Sequence, residues 1–233
     1  MDPAALPDPR APTLADLCGS FAGHLVAVEP LRPDHEPGLI AAARDPQVFT
    51  WLPEDMASSS ERLHCWLAAA LQSAELGREV PFAVIDLSTG EPVGSTRFLE
   101  PRLEHLRVEI GWTWLARSVW GSGINVETKM LLLEHAFEHV GCRRVEFKTD
   151  ARNQRSRGAL TALGAQFEGI LRKHMVIRDG APRDSAFYSV IDDEWPEVKT
   201  RLEQRRAAHL RLAKQPRDEG VQRREGVLRH TGA

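Results

Sequence analysis

The stretch Trp112-Thr-Trp-Leu-Ala-Arg-Ser-Val-Trp-Gly-Ser-Gly-Ile-Asn-Val-Glu-Thr-Lys129 decides how this chain is read. An apolar segment ends in it, two glycines follow one residue apart, and an amphipathic helix begins. The order is strand, tight loop, helix. Gly121 and Gly123 let the backbone turn sharply and let a ligand approach without a Cβ in the way. The first turn of the helix offers unpaired N–H groups and the positive end of its dipole, for which a phosphate is a natural guest. The loop fails the dinucleotide fingerprint, which needs glycine where Val126 stands. It also fails the Walker pattern, which needs Gly-Lys-Ser/Thr at the loop end. On its own it is read either as a cofactor phosphate site or as a plain strand-to-helix turn.

Before the loop, Leu106 to Leu115 reads as a strand. Its alternation places Val108, Ile110 and Trp112 on one face and Arg107, Glu109 and Gly111 on the other. After the loop, Val126, Met130, Leu133, Phe137 and Val140 step by four and three, a core-facing helical stripe. Further out, Pro81–Leu87 and Pro92–Leu99 flank a turn and form a hairpin. Ser58-x-x-Glu61 matches a capping box for a helix over about 59–76. Arg143–Thr149 is a strand and Asn153–Leu163 a short helix. Strands near 167–178 and 184–191 meet through Asp179-Gly180, and a last helix runs from Trp195 to about 212. The helix after the glycine loop connects two strands that are therefore expected to be parallel. The whole reads as one α/β domain over residues 21–213. Residues 1–20, with four prolines and few apolar anchors, and the charged residues 214–233 are expected to be disordered.

Composition narrows the function. The 233-residue chain carries a formal net charge of -3, which gives no basic excess for nucleic acid. No apolar run reaches the length of a membrane span, and the N-terminus lacks a basic region followed by an apolar core. A cytoplasmic protein with no membrane partner is expected. Cys18, Cys65 and Cys142 are odd in number and widely spaced, so they read as plain reduced side chains. His135-x-x-Glu138-His139 matches a zinc-site spacing. Both histidines lie off the apolar stripe, so a solvated helix face is the better reading and no metal is expected.

Three segments together resemble the GNAT N-acetyltransferase superfamily, and within it the Rim-type (RimJ/RimL-like) branch that acetylates ribosomal-protein N-termini. They are Val108-Glu-Ile-Gly-Trp-Thr-Trp-Leu115, Trp120-Gly-Ser-Gly-Ile-Asn125 and Asn153-Gln-Arg-Ser-Arg-Gly-Ala-Leu-Thr-Ala-Leu-Gly164. The resemblance covers about residues 24–205. It implies a mixed, mostly antiparallel twisted sheet of about seven strands, flanked by helices and splayed where acyl-CoA binds. It also implies acetyl-CoA as co-substrate and a primary amine as acceptor, either a peptide N-terminus or a small molecule. Direct attack in a ternary complex needs neither metal nor covalent intermediate, and a homodimer is one assembly the family allows.

By the same resemblance, Trp114 and Leu115 would pair with the pantetheine arm like an added strand. Ser118, Val119, Trp120, Gly121, Ser122, Gly123 and Ile124 would hold the pyrophosphate, with Asn153 also on the cofactor side. Glu109 would act as base and Ser156 as the hydroxyl near the departing thiolate. Phe49 and Trp51 would line the acceptor side. Tyr188, the only tyrosine, stands too late in the chain for the family's usual donor. Ser118 departs from the family, which often has Gln or Arg at that place. Succinyl or another short acyl group, and CoA binding without turnover, are the alternatives.

Overall fold

A computed structural model of the protein describes residues 11–213. Eight strands form one sheet in the order β1-β2-β3-β4-β5-β6-β8-β7. In chain order they are β1 Phe21–Ala22, β2 Val26–Pro30, β3 Glu79–Asp86, β4 Glu91–Arg102, β5 Arg107–Leu115, β6 Arg144–Asp150, β7 Gln166–Val176 and β8 Pro182–Ile191. The helices are α1 Glu36–Ala42, α2 Ser60–Glu75, α3 Ile124–Glu134, α4 Gln154–Leu163 and α5 Trp195–Ala213. The strand beyond the seven expected is the two-residue β1, which pairs with β2.

All neighbours are antiparallel except β5 and β6, which run parallel as the connecting helix requires. That pair is brief. It covers Arg107↔Arg144, Val108↔Val145 and Glu109↔Glu146, and then the strands part. From Ile110 to Leu115, β5 has no strand on that side among the described residues. This splay positions the site.

Each face of the sheet has its own core. One contains Val108, Ile110, Val145 and Phe147 with Met130, Leu133 and Phe137 of α3 and its continuation, and Leu202 of α5. The other contains Trp114 with Phe49, Leu63 and Trp66. Burial of an apolar side chain of this size stabilises the fold by roughly 1.5–3 kcal/mol.

Several expectations are corrected. Trp112 does not share a face with Val108 and Ile110. Its φ is +49°, in the left-handed region, and the β4–β5 register shifts between Ser95 and Arg97. This bulge turns Trp112 and Trp114 together towards the α2 side. Residues 11–20 are not a loose arm: a short 3-10 turn holds Leu17 fully buried in the core. Residues 1–10 and the tail at 214–233 lie outside the described residues. The cap of α2 is Ser59, whose side chain accepts from the Arg62 amide, while Ser58 donates to the Asp55 carbonyl. His135 is half-buried, not on a fully solvated face: its ring is tilted against that of Phe21 and a ring nitrogen contacts the Asp16 carbonyl at 2.8 Å.

Candidate active site

The glycine loop folds as its sequence dictates. Gly121 and Gly123 have φ of +80° and +97°, which residues with a Cβ rarely adopt. The amides of Val119, Trp120 and Ser122 are used within the loop, donating to the carbonyls of Ala116, Arg117 and Val119. Those of Gly121, Gly123, Asn125 and Val126 have no partner among the described residues. These four donors and the helix dipole form an anion cradle. A Cβ at Gly121 would meet nothing within 4 Å, so the space over the loop is open. The donor set therefore fits the pyrophosphate of a CoA.

Cations gather around that cradle. The Arg155 and Arg117 guanidinium carbons lie 3.2 and 4.3 Å from the Trp120 ring centre. Burial, and then the charge of Arg117, holds the pKa of Arg155 below its ordinary value. From α5, Arg205 and His209 also line the cleft, and a Cβ at Gly123 would come within 2.7 Å of His209 Cβ.

The cleft has a volume of about 450 Å³ and runs from this loop along the β5–β6 splay. Of the residues named from sequence, it is lined by Glu109, Trp114, Leu115, Val119, Trp120, Gly121, Gly123, Asn153, Ser156 and Trp51. Ser118 and Ser122 are exposed beside it, and Ile124 is buried behind it. Phe49 is fully buried, with its ring 5.3 Å from that of Trp114, so it supports the wall from the core. The Leu115 carbonyl accepts from the Trp120 indole at 2.9 Å. Tyr188 is buried away from the cleft and bonded to Arg157.

At the other end, strand alternation brings charge together. Glu109 of β5 is 3% exposed. Lys148 of β6 donates to its carboxylate at 2.9 Å. Burial pushes the Glu109 carboxyl above the usual carboxylate range, against the pull of Lys148. Gly111 makes room for it, since a Cβ there would lie 2.6 Å from Glu109 Oε1. Lys129 enters from α3, 6% exposed, and donates to Thr113 Oγ1 at 2.7 Å. Burial lowers its pKa from 10.5 to about 7, with Glu109 opposing that. Ser156 sits in the first turn of α4, which Asn153 caps by accepting from the Ser156 amide at 3.0 Å.

Lys129, Lys148, Arg183, Arg205 and His209 were not found by reading the sequence. Only Lys129 left a signal there, as a cation inside the long apolar helix. No helix among the described residues is long and apolar enough to cross a membrane. No group of three or more metal-ligating side chains is gathered among them either.

The splayed parallel pair, the glycine loop and the cleft joining them are those of an acyl-CoA-binding transferase fold. Residues 26–166 match the acetyltransferase (GNAT) domain family, and the chain belongs to it. It is 32% identical to a GCN5-related N-acetyltransferase from Brucella melitensis, with a TM-score of 0.75 over 80% of this chain and 84% of that one. Mycobacterium smegmatis RimJ, solved in complex with CoA-disulfide, is 25% identical, with a TM-score of 0.65 over 77% and 88% of the two chains. That likeness supports the Rim-type branch. The uncharacterized N-acetyltransferase YoaA of Bacillus subtilis (strain 168) is 27% identical over 114 residues, which span 49% of this chain and 63% of YoaA.

Proposed function

We propose that the protein transfers an acetyl group from acetyl-CoA to a primary amine, namely a protein or peptide N-terminus, by direct attack in a ternary complex. One observation carries this reading: a single cleft joins the free amides of the glycine loop to the buried carboxylate of Glu109. Acetyl-CoA, when bound, supplies an acyl group activated as a thioester. The amides of Gly121, Gly123, Asn125 and Val126 hold its phosphates, with Arg117, Arg155, Arg205 and His209 around them. The bare edge of β5 receives its extended arm. Glu109 takes a proton from the acceptor amine, directly or through water, and its raised pKa makes it a better base than an exposed carboxylate. The Ser156 hydroxyl donates a hydrogen bond to the departing thiolate, which takes its proton from water. Trp51, at the mouth, lines the acceptor side. The preference for a peptide N-terminus rests on the likeness to RimJ. Residues 21–213 are the transferase domain in this reading, and the protein works in the cytoplasm.

The test is thiol release from acetyl-CoA by the purified full chain with a panel of peptides and small amines. Release that depends on the acceptor, together with an acetylated N-terminus by mass spectrometry, is expected. CoA binding without acceptor-dependent release across the panel would instead define a CoA-binding module without turnover.

A further inference from the structure

Among the described residues, the carboxylates around the Glu109 end of the cleft have cationic partners, while one guanidinium beside them has no acceptor. Glu109 pairs with Lys148 at 2.9 Å. Asp150 is held by Arg152 through contacts of 2.9 and 2.8 Å. The side chain of Arg183, at the start of β8, makes no hydrogen bond or ion pair among the described residues. It is 5% exposed and lines the cleft, and its Nε is enclosed with no acceptor. Glu109 and Asp150 support its charge from nearby, yet burial still holds its pKa below the ordinary guanidinium value. A guanidinium is a planar fork of five donors that stays charged in proteins. Buried donors of this kind are nearly always met by an acceptor, since leaving one unmet is costly.

The location narrows what that acceptor is. Arg183 stands on the β7–β8 hairpin. The same hairpin is tied to the loop at Phe49–Asp55 by Arg178, which donates to the Phe49 and Thr50 carbonyls at 2.7 and 3.1 Å. Within the cleft Arg183 lies near Glu109, the base in the proposed reaction. Lys148 and His174, the latter bonded to Ser185 at 3.1 Å, are the nearby groups on neighbouring strands. Neither adds a free negative charge. Resting on the acyl-transfer reading above, we propose that Arg183 is a carboxylate-recognition subsite, and that the reactant on this side of the cleft carries a carboxylate. The fork takes both carboxylate oxygens at once. The carboxylate belongs either to the acceptor, as an acidic first residue or a free amino acid, or to a dicarboxylic acyl group such as succinyl.

The test compares matched probes that differ in one carboxylate. Dissociation constants are measured for the CoA-saturated full chain with Asp- and Asn-initiated short peptides, and with L-alanine and L-alaninamide. The ligand-free chain is titrated with succinyl-CoA and acetyl-CoA. In at least one pair the carboxylate member should bind about 10- to 100-fold more tightly, as expected for charge-assisted hydrogen bonds. Arg183→Gln should remove that preference while CoA affinity is kept, and Arg183→Lys should restore part of it. Preference within the peptide or amino-acid pairs places the carboxylate on the acceptor; preference within the CoA pair places it on the acyl group. If no carboxylate member binds more tightly to the wild type, or Arg183→Gln keeps the preference, the subsite is overturned, even where thiol release shows acyl transfer. Carboxylate preference without any thiol release leaves the subsite standing and removes the transfer reading.

Discussion

Lys129→Met isolates a buried cation of the site. Among the described residues the lysine's only hydrogen-bond partner is Thr113, and burial lowers its pKa from 10.5 to about 7. That displacement corresponds to ~5 kcal/mol of destabilisation when the folded lysine is charged, at about 1.4 kcal/mol per pKa unit. The sign follows from proton binding. Between pH 7 and 10.5 the unfolded chain holds this proton more tightly than the folded one, so stability rises with pH across that window. Below pH 7 both states are charged and the full destabilisation is present. From pH 7 to 9 the wild type should therefore gain about 2 kcal/mol that the methionine variant does not. Thr113 keeps its contact with Thr96 at 2.8 Å, so losing the lysine leaves it partnered. At pH 7 the variant should be the more stable protein by about 3 kcal/mol, after about 1 kcal/mol for the lost hydrogen bond. Urea unfolding of both proteins at pH 7, 8 and 9, followed by tryptophan fluorescence, measures the gap directly. A gap that stays constant across the window would refute the neutral, buried lysine. A shrinking gap also bears on chemistry, because a neutral Lys129 leaves Lys148 as the cation that balances Glu109.

Glu109→Gln should lower turnover by about 10²–10⁴-fold with CoA affinity unchanged, and should remove the acidic limb of the pH–rate profile. An acidic limb that persists would remove Glu109 as base. Gly121→Val adds a side chain over the open cradle at a left-handed position, and should cost about 1–2 kcal/mol in stability while abolishing CoA binding. It is a cleaner probe than any change at Gly123, where the new side chain would also strike His209; retained CoA affinity in calorimetry would sink the cradle. Glu127 is fully buried and accepts from the amides of His24, Leu25 and Val26. Glu127→Ala should cost about 3–6 kcal/mol by leaving them unmet, a loss that urea unfolding would read and that a change under 1 kcal/mol would contradict. Gly23→Ala should act alike, since its Cβ would lie 2.3 Å from the Glu127 carboxyl carbon.

The glycine loop was legible because its physics is local: two positive φ angles need two glycines, and both are written in the chain. The parallel β5–β6 pair was legible for a similar reason, since a helix between two strands imposes it. What escaped was set by tertiary context. Nothing in Trp112 announces a left-handed bulge, because a tryptophan there is held by its packing beside Arg97 and Trp66. Lys148 and Arg183 escaped notice, because alternation says which face a side chain takes but not whether that face is covered. Leu17 was lost among prolines, although it is buried in the core and helps to hold residues 11–20 there. Phe49 and Trp51 looked equivalent in sequence, yet one lies under Trp114 and the other in the cleft.

The bulge and the splay act together. Pairing between β5 and β6 ends at Glu109 and Glu146, and three residues later Trp112 takes its left-handed turn. An unbulged strand would keep Trp112 in the α3-side core and would face Thr113 to the α2 side. With the bulge, Thr113 turns to meet Lys129, while Trp112 packs under the Arg97 guanidinium and Trp114 packs against Trp66 and Phe49. The polar groups around the reacting end are thereby divided between the two faces of one strand: Glu109 with Lys148 on one, Thr113 with Lys129 on the other. The backbone edge from Ile110 to Leu115 that faces β6 lies between them with no strand paired to it among the described residues. A bare edge invites pairing with any extended chain. Here it lies inside a cleft that also holds the proposed phosphate cradle, so the chain that suits it is one with an anionic head and an extended, hydrogen-bonding arm.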